Sequence, residues 1–126
     1  MQRQFKLFFL AITINYCSQI AAHAQDETNK QPSPQQLKSP EWIASGRNKF
    51  VHTCAYCHGQ EGDAGKNKPF REHLGWEPET IFDVIKNGRK RGANIMPAWG
   101  DSISEEEIWK IVSYIKSLEG APRARN

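Results

Sequence analysis

Five consecutive residues, Cys54-Ala55-Tyr56-Cys57-His58, carry the densest chemistry in the chain. Cys-x-x-Cys-His is the attachment pattern of c-type haem. Two residues between the thiols let both sulfurs reach the two vinyl groups on one porphyrin edge, and the histidine that follows is then placed under the iron. Two other chemistries use the same residue types. A Cys-x-x-Cys redox pair belongs in a thioredoxin-like alternation of strands and helices, which this sequence lacks. A zinc site needs a fourth ligand beside Cys54, Cys57 and His58, and only His52, His73 or a carboxylate could provide it. An exported, all-helical chain favours haem. The iron's opposite position then takes a thioether or a second imidazole. Met96, in Asn94-Ile95-Met96-Pro97-Ala98-Trp99, is the one methionine besides Met1, and it stands in a polar, Gly-flanked loop that is a poor address for a core filler. His73 remains the competing ligand. His52, two residues before Cys54, shares the local segment of the thiols and is badly placed to cross to the other haem face. A thioether ligand raises the reduction potential and leaves no open position for substrate, which points to electron transfer rather than catalysis.

The elements that must position these residues begin after a leader. Arg3 and Lys6 precede an apolar run, Leu7 to Ile14, and the stretch ends in Ala22-His23-Ala24. This is the layout of a secretory signal over residues 1–24, with cleavage expected before Gln25. The run is shorter than the roughly 20 apolar residues of a membrane span. Cys17 leaves with the leader, so the exported chain keeps two cysteines, too close together to staple a fold. Residues 25–38 are polar, with Pro and Gln, and read as a flexible tether. Ser39-Pro40 offers a helix start, followed by Trp42, Ile43, Gly46 and Phe50 at helical spacing. A second helix is expected from Pro78 to Lys86, with Ile81, Phe82 and Ile85 as its apolar face. The third opens on a Ser104/Glu107 capping box and repeats Ile108, Ile111, Val112, Ile115 and Leu118 at helical spacing, with Gly120 and Pro122 ending it. The domain thus spans 39–120, before a disordered tail over 121–126. Two long stretches, 59–77 and 88–103, show no strand alternation. Loops of that length ask for something other than protein to fill the middle.

From Gly46 to Leu118 the chain resembles the class I c-type cytochromes, small monohaem bacterial electron carriers. The resemblance implies an all-α fold of three main helices and long loops wrapped around one covalently attached haem c. Gly46 and Phe50 match the positions by which the family's first helix crosses its last, and Ile111 and Tyr114 match the positions they pack against. Carried over, Pro69 would accept a hydrogen bond from His58 and so orient it. Met96-Pro97-Ala98-Trp99-Gly100 resembles the axial-methionine loop of short bacterial members, and Trp76 and Trp99 would flank the haem. The implied function is periplasmic electron carriage at a His58/Met96-ligated haem, by a monomer that meets a dehydrogenase donor and an oxidase or reductase acceptor. The alternative is a haem subunit bound to a periplasmic, quinoprotein-type dehydrogenase.

Charge excludes one class of partner. The chain has 17 basic and 14 acidic residues, a formal net charge of +3, and Arg3 and Lys6 fall in the leader. What remains is close to neutral, unlike a nucleic-acid binder. Lys86, Arg89, Lys90 and Arg91 precede the Met96 loop, and Lys66, Lys68 and Arg71 follow His58; the resemblance implies that these two loops border the haem edge, where the seven charges either ring the route by which electrons enter and leave or form an ordinary solvated surface.

Overall fold

A computed structural model describes residues 31–64 and 68–122. The leader, the first part of the tether and residues 123–126 lie outside the described residues. The elements run α1 (Pro34–Leu37), α2 (Pro40–Thr53), α3 (Ala55–His58), a 3-10 turn (Phe70–Glu72), α4 (Pro78–Asn87), β1 (Arg89–Arg91), β2 (Asn94–Met96) and α5 (Glu105–Leu118).

Local chemistry sets the ends of the two long helices. Ser39 Oγ accepts the Trp42 N–H at 3.2 Å, with Pro40 at the first helical position. On α5 the capping box is complete: Ser104 Oγ accepts the Glu107 N–H and the Glu107 carboxylate accepts the Ser104 N–H, each at 3.3 Å. These bonds satisfy amides that a helix leaves free at its start.

The core forms where α2 crosses α5. A Cβ built on Gly46 would stand 1.8 Å from the Lys110 carbonyl oxygen, so only glycine lets the two backbones approach this closely. One turn on, the Phe50 and Tyr114 rings meet edge to face at 5.2 Å. Phe50, Ile108, Ile111 and Val112 are all but fully buried there. Full burial of such side chains stabilises by about 1.5–3 kcal/mol each. α4 adds Ile81, Phe82 and Ile85, and Phe82 stacks on Trp109 at 4.4 Å. The expected crossing of Gly46 and Phe50 with Ile111 and Tyr114 is therefore the one observed.

Three boundaries differ from expectation. The tether is ordered at its end: Ser33 Oγ caps α1 and Leu37 packs on the core, so the domain begins by Ser33 rather than at residue 39. A Ser-Pro cap outweighs polar composition here, just as at Ser39-Pro40. Between α4 and α5 the chain forms a two-stranded hairpin instead of a loop, with Arg89 opposite Met96, Lys90 opposite Ile95 and Arg91 opposite Asn94. Gly88 and Gly92, both at positive φ, make the turns at either end of β1. Ala121 and Pro122, expected in a disordered tail, are pinned: their carbonyls accept hydrogen bonds from Arg71 at 3.2 and 3.0 Å.

Candidate haem site

Cys54 ends α2, its N–H donating to the Phe50 carbonyl at 2.7 Å, and α3 continues directly through Cys57 to His58. One helical turn thus presents both thiols and the imidazole together. The thiols are free, Cys54 buried and Cys57 exposed. Burial pushes the Cys54 thiol up to about 11, with Cys57 beside it adding to the rise. His58 is half-buried, and desolvation holds its pKa below the ordinary imidazole value, which favours the neutral ring a metal requires.

Behind His58 stands a residue that sequence reasoning missed. Phe70 stacks on the imidazole at 5.1 Å and 29°, and meets Phe50 edge on at 6.0 Å. Its position is fixed by Gly62, where a Cβ would fall 2.2 Å from the Phe70 ring and whose carbonyl accepts the Phe70 N–H at 3.0 Å. The available signal was an aromatic residue in an otherwise polar, glycine-rich loop. Pro69 precedes it and opens the 3-10 turn, its carbonyl accepting the Glu72 N–H at 3.0 Å.

Met96 ends β2, half-buried and packed against the core. The segment after it is tied to the end of α4: the Trp99 N–H donates to the Ile85 carbonyl and the Gly100 N–H to the Lys86 carbonyl, both at 3.0 Å. At Gly88 a Cβ would meet the Met96 carbonyl oxygen and the Ala98 nitrogen at 2.7 Å. Met96 and Trp99 are therefore carried together on a rigid support, not on a free loop. His73 is engaged otherwise, its Nε2 3.0 Å from the Lys68 carbonyl and its ring 4.1 Å from Trp76. His52 is exposed on α2. Among the described residues no group of three or more His, Cys, Asp or Glu is arranged to hold a metal.

These residues fit a c-type haem. A c-type haem uses two unjoined thiols for its covalent links to the porphyrin, and a neutral imidazole and a thioether are ligands its iron takes. Phe70, Trp76, Met96 and Trp99 are only partly covered by the protein's own core, and Leu74 and Ile95 stand exposed, so apolar surface is left over for an apolar macrocycle. No helix of the described residues is long and apolar enough to cross a membrane.

Comparison with known proteins agrees. Residues 41–115 match the sequence profile of the family described as Cytochrome C oxidase, cbb3-type, subunit III. The chain is 29% identical over 115 residues to the Cbb3-type cytochrome c oxidase subunit FixP of Sinorhizobium medicae (strain WSM419), covering 82% of this chain and 38% of that protein. It is 36% identical over 80 residues to cytochrome c550 of Pseudomonas aeruginosa, covering 60% of this chain and 55% of the relative. It thus spans well under two thirds of the length of either. Among solved structures, cytochrome CL of Methylophaga aminisulfidivorans shares the fold with a TM-score of 0.55 at 15% identity, over 75% of this chain and 72% of the other. The matched residues take in the α2–α5 crossing, the Cys54–His58 turn and Met96, and the chain belongs to that family: it is a class I c-type cytochrome whose cofactor is covalently bound haem c.

Proposed function

We propose that the chain is a periplasmic one-electron carrier whose haem is linked through Cys54 and Cys57 and whose iron is held between His58 and Met96. The observation that carries this reading is the fixing of Met96 at the end of a hairpin tied to α4 by the Trp99 and Gly100 amides. Bound haem supplies a change of iron valence, and with a thioether in the sixth position that is the chemistry left to it. The chain's residues do the rest. His58 is held neutral by desolvation and backed by Phe70. Pro69 keeps a carbonyl lone pair beyond its bond to Glu72 with which to accept the His58 ring N–H and fix its orientation. Trp99 and Met96, partly buried against the core and carried on the segment tied to α4, would help shield the haem from water. The leader over residues 1–24 takes the chain to the periplasm, where a dehydrogenase donor and an oxidase or reductase acceptor are the partners.

The test is spectroscopic. The oxidised protein should show the weak near-infrared band of iron–thioether bonding, and Met96→Ala should abolish it while opening the iron to carbon monoxide. If the band is missing and the reduced wild type already binds carbon monoxide, the iron is open and the carrier reading fails. A second reading is a subunit bound to a larger redox enzyme, favoured by the likeness to an oxidase subunit. Such a subunit co-purifies with its enzyme, whereas a carrier elutes alone.

A further inference from the structure

Arg71 was expected on the docking surface, yet it is only 9% exposed. Its Nη1 donates to the Ala121 and Pro122 carbonyls at 3.2 and 3.0 Å, and its Nη2 to Glu61 Oε2 at 3.3 Å. Its own carbonyl accepts the Gly120 N–H at 3.0 Å. Among the described residues Arg71 Nε is the buried side-chain polar atom with no partner. Nε and Nη2 form one edge of the guanidinium, so Glu61 already occupies half of a two-point pair.

A buried guanidinium is costly unless its charge is met and most of its N–H groups are bonded. Here the partners come from two places, Glu61 in the loop that leaves His58 and the carbonyls just past α5. Both carbonyls lie beyond the C-cap Glu119, so Arg71 ties down the chain just past the end of α5. Neighbouring bonds repeat the stitch between α5 and this region. Lys116 Nζ donates to the Trp76 carbonyl at 2.8 Å, the Gly75 N–H donates to the Glu119 carboxylate, and the Tyr114 hydroxyl donates to the Gln60 carbonyl at 3.3 Å. The residue immediately before Arg71 is Phe70, whose ring lies on His58 and is wedged at Gly62. Phe70 cannot slide off the imidazole unless its turn moves, and Arg71 fixes that turn.

We propose that Arg71 is a positioning residue for His58: by locking the Phe70–Glu72 turn to the end of α5 it keeps Phe70 stacked on the imidazole. That contact sets the ring's rotation and keeps water from its flank. The proposal rests on His58 being an iron ligand, as argued above. It predicts coupling between the far end of the last helix and the electronic properties of the iron. Water admitted beside the ligand favours the more charged, oxidised state, so the potential should fall when the lock is broken.

The test uses the haem-loaded chain. Arg71→Gln, and separately a chain stopped after Gly120, which removes both carbonyl acceptors, should each lower the midpoint potential. Each should also rearrange the haem-methyl proton shifts of the oxidised protein, which report imidazole orientation, while the near-infrared band of Met96 persists. Phe70→Leu should move the same resonances, and Arg71→Lys should restore part of the wild-type pattern. Lys49→Gln breaks an ion pair at the helix crossing and should lower the melting temperature with both readings unchanged. A wild type without covalent haem or the near-infrared band refutes the function proposed above; with both present, the variants judge Arg71 alone. If Arg71→Gln does not fold, the chain stopped after Gly120 decides by the same readings. Potential and haem-methyl shifts at wild-type values in a folded variant, whatever its melting temperature, would overturn the proposal.

Discussion

Replacing Gly46 by alanine tests the helix crossing on which the domain depends. The added methyl would stand 1.8 Å from the Lys110 carbonyl oxygen, 2.4 Å from its carbon and 3.1 Å from the Ile111 nitrogen. All three are backbone atoms, so no side-chain rotation relieves the overlap. Ordinary contact begins near 3.4 Å, and the helices must therefore part by roughly 1.5 Å at this point. A gap of about 0.5–1 Å already forfeits a quarter to a half of the dispersion attraction across an interface. The interface in question holds Phe50, Ile111 and Val112, at 1%, 0% and 0% exposure. Overpacking of this kind costs about 1–3 kcal/mol, and backbone overlap places Gly46 at the upper end. Alanine returns about 1 kcal/mol through helix propensity, which leaves a net loss of about 2 kcal/mol. For a domain of this size that lowers the melting temperature by about 8–16 °C. Thermal unfolding of the haem-loaded protein, followed by far-ultraviolet circular dichroism, measures it. Ser45→Ala, one residue away and exposed, controls for propensity and should stay within about 0.5 kcal/mol of wild type. If Gly46→Ala is equally neutral, the helices do not cross at Gly46 and the core has been paired wrongly.

Other expectations are as direct. Cys57→Ser should leave one thioether and much less stable holoprotein, and mass spectrometry of the exported wild type should find a chain starting at Gln25 and heavier by one haem; a bare polypeptide mass contradicts the linkage. Glu107 is held below the usual carboxylate range by its hydrogen bonds to Lys49 and Ser104. Its stabilising effect is therefore complete above the unfolded-state value near 4.5 and is lost as the pH falls through the lower folded value. Glu107→Gln should shrink the stability difference between pH 7 and pH 3, modestly because the side chain is 42% exposed. Lys90→Glu with Arg91→Glu should slow electron exchange with an acidic partner and flatten its dependence on salt while barely moving the potential; an unchanged rate and salt slope would place docking on another surface.

The three main helices were legible because each carries its own punctuation. Ser39-Pro40 and the Ser104/Glu107 box mark starts, and the apolar repeats of α4 and α5 name the faces that pack, Ile81, Phe82 and Ile85 against the α5 stripe. The Cys54–His58 turn was legible for the same local reason, since five adjacent residues need no tertiary knowledge to be grouped. Phe70 escaped because its partner His58 lies twelve residues away across a glycine-rich loop. Nothing in residue order says which aromatic folds back onto the imidazole, and the wedge at Gly62 that decides it exists only in three dimensions. The hairpin escaped because strands of three residues are too short to establish an alternation.

Strand register also changes what the basic run can do. Read along the chain, Lys86, Arg89, Lys90 and Arg91 are one positive patch, joined after His58 by Lys66, which lies outside the described residues, and by Lys68 and Arg71. Folded, Lys86 is neutralised by Glu105 at 2.5 Å and Arg71 is buried against Glu61. None of the ion pairs among the described residues engages Arg89, Lys90 or Arg91. Paired residues of a hairpin project to a common face, and successive residues alternate. Arg89 and Arg91 therefore share the face of Met96 and Asn94, while Lys90 shares the opposite face with Ile95, which is 70% exposed. A contiguous run of charge thus becomes two half-patches with different neighbours, one beside the thioether and one beside an exposed aliphatic side chain. An encounter surface needs charge to steer and apolar contact to hold, and the Lys90–Ile95 face combines the two within a single cross-strand pair.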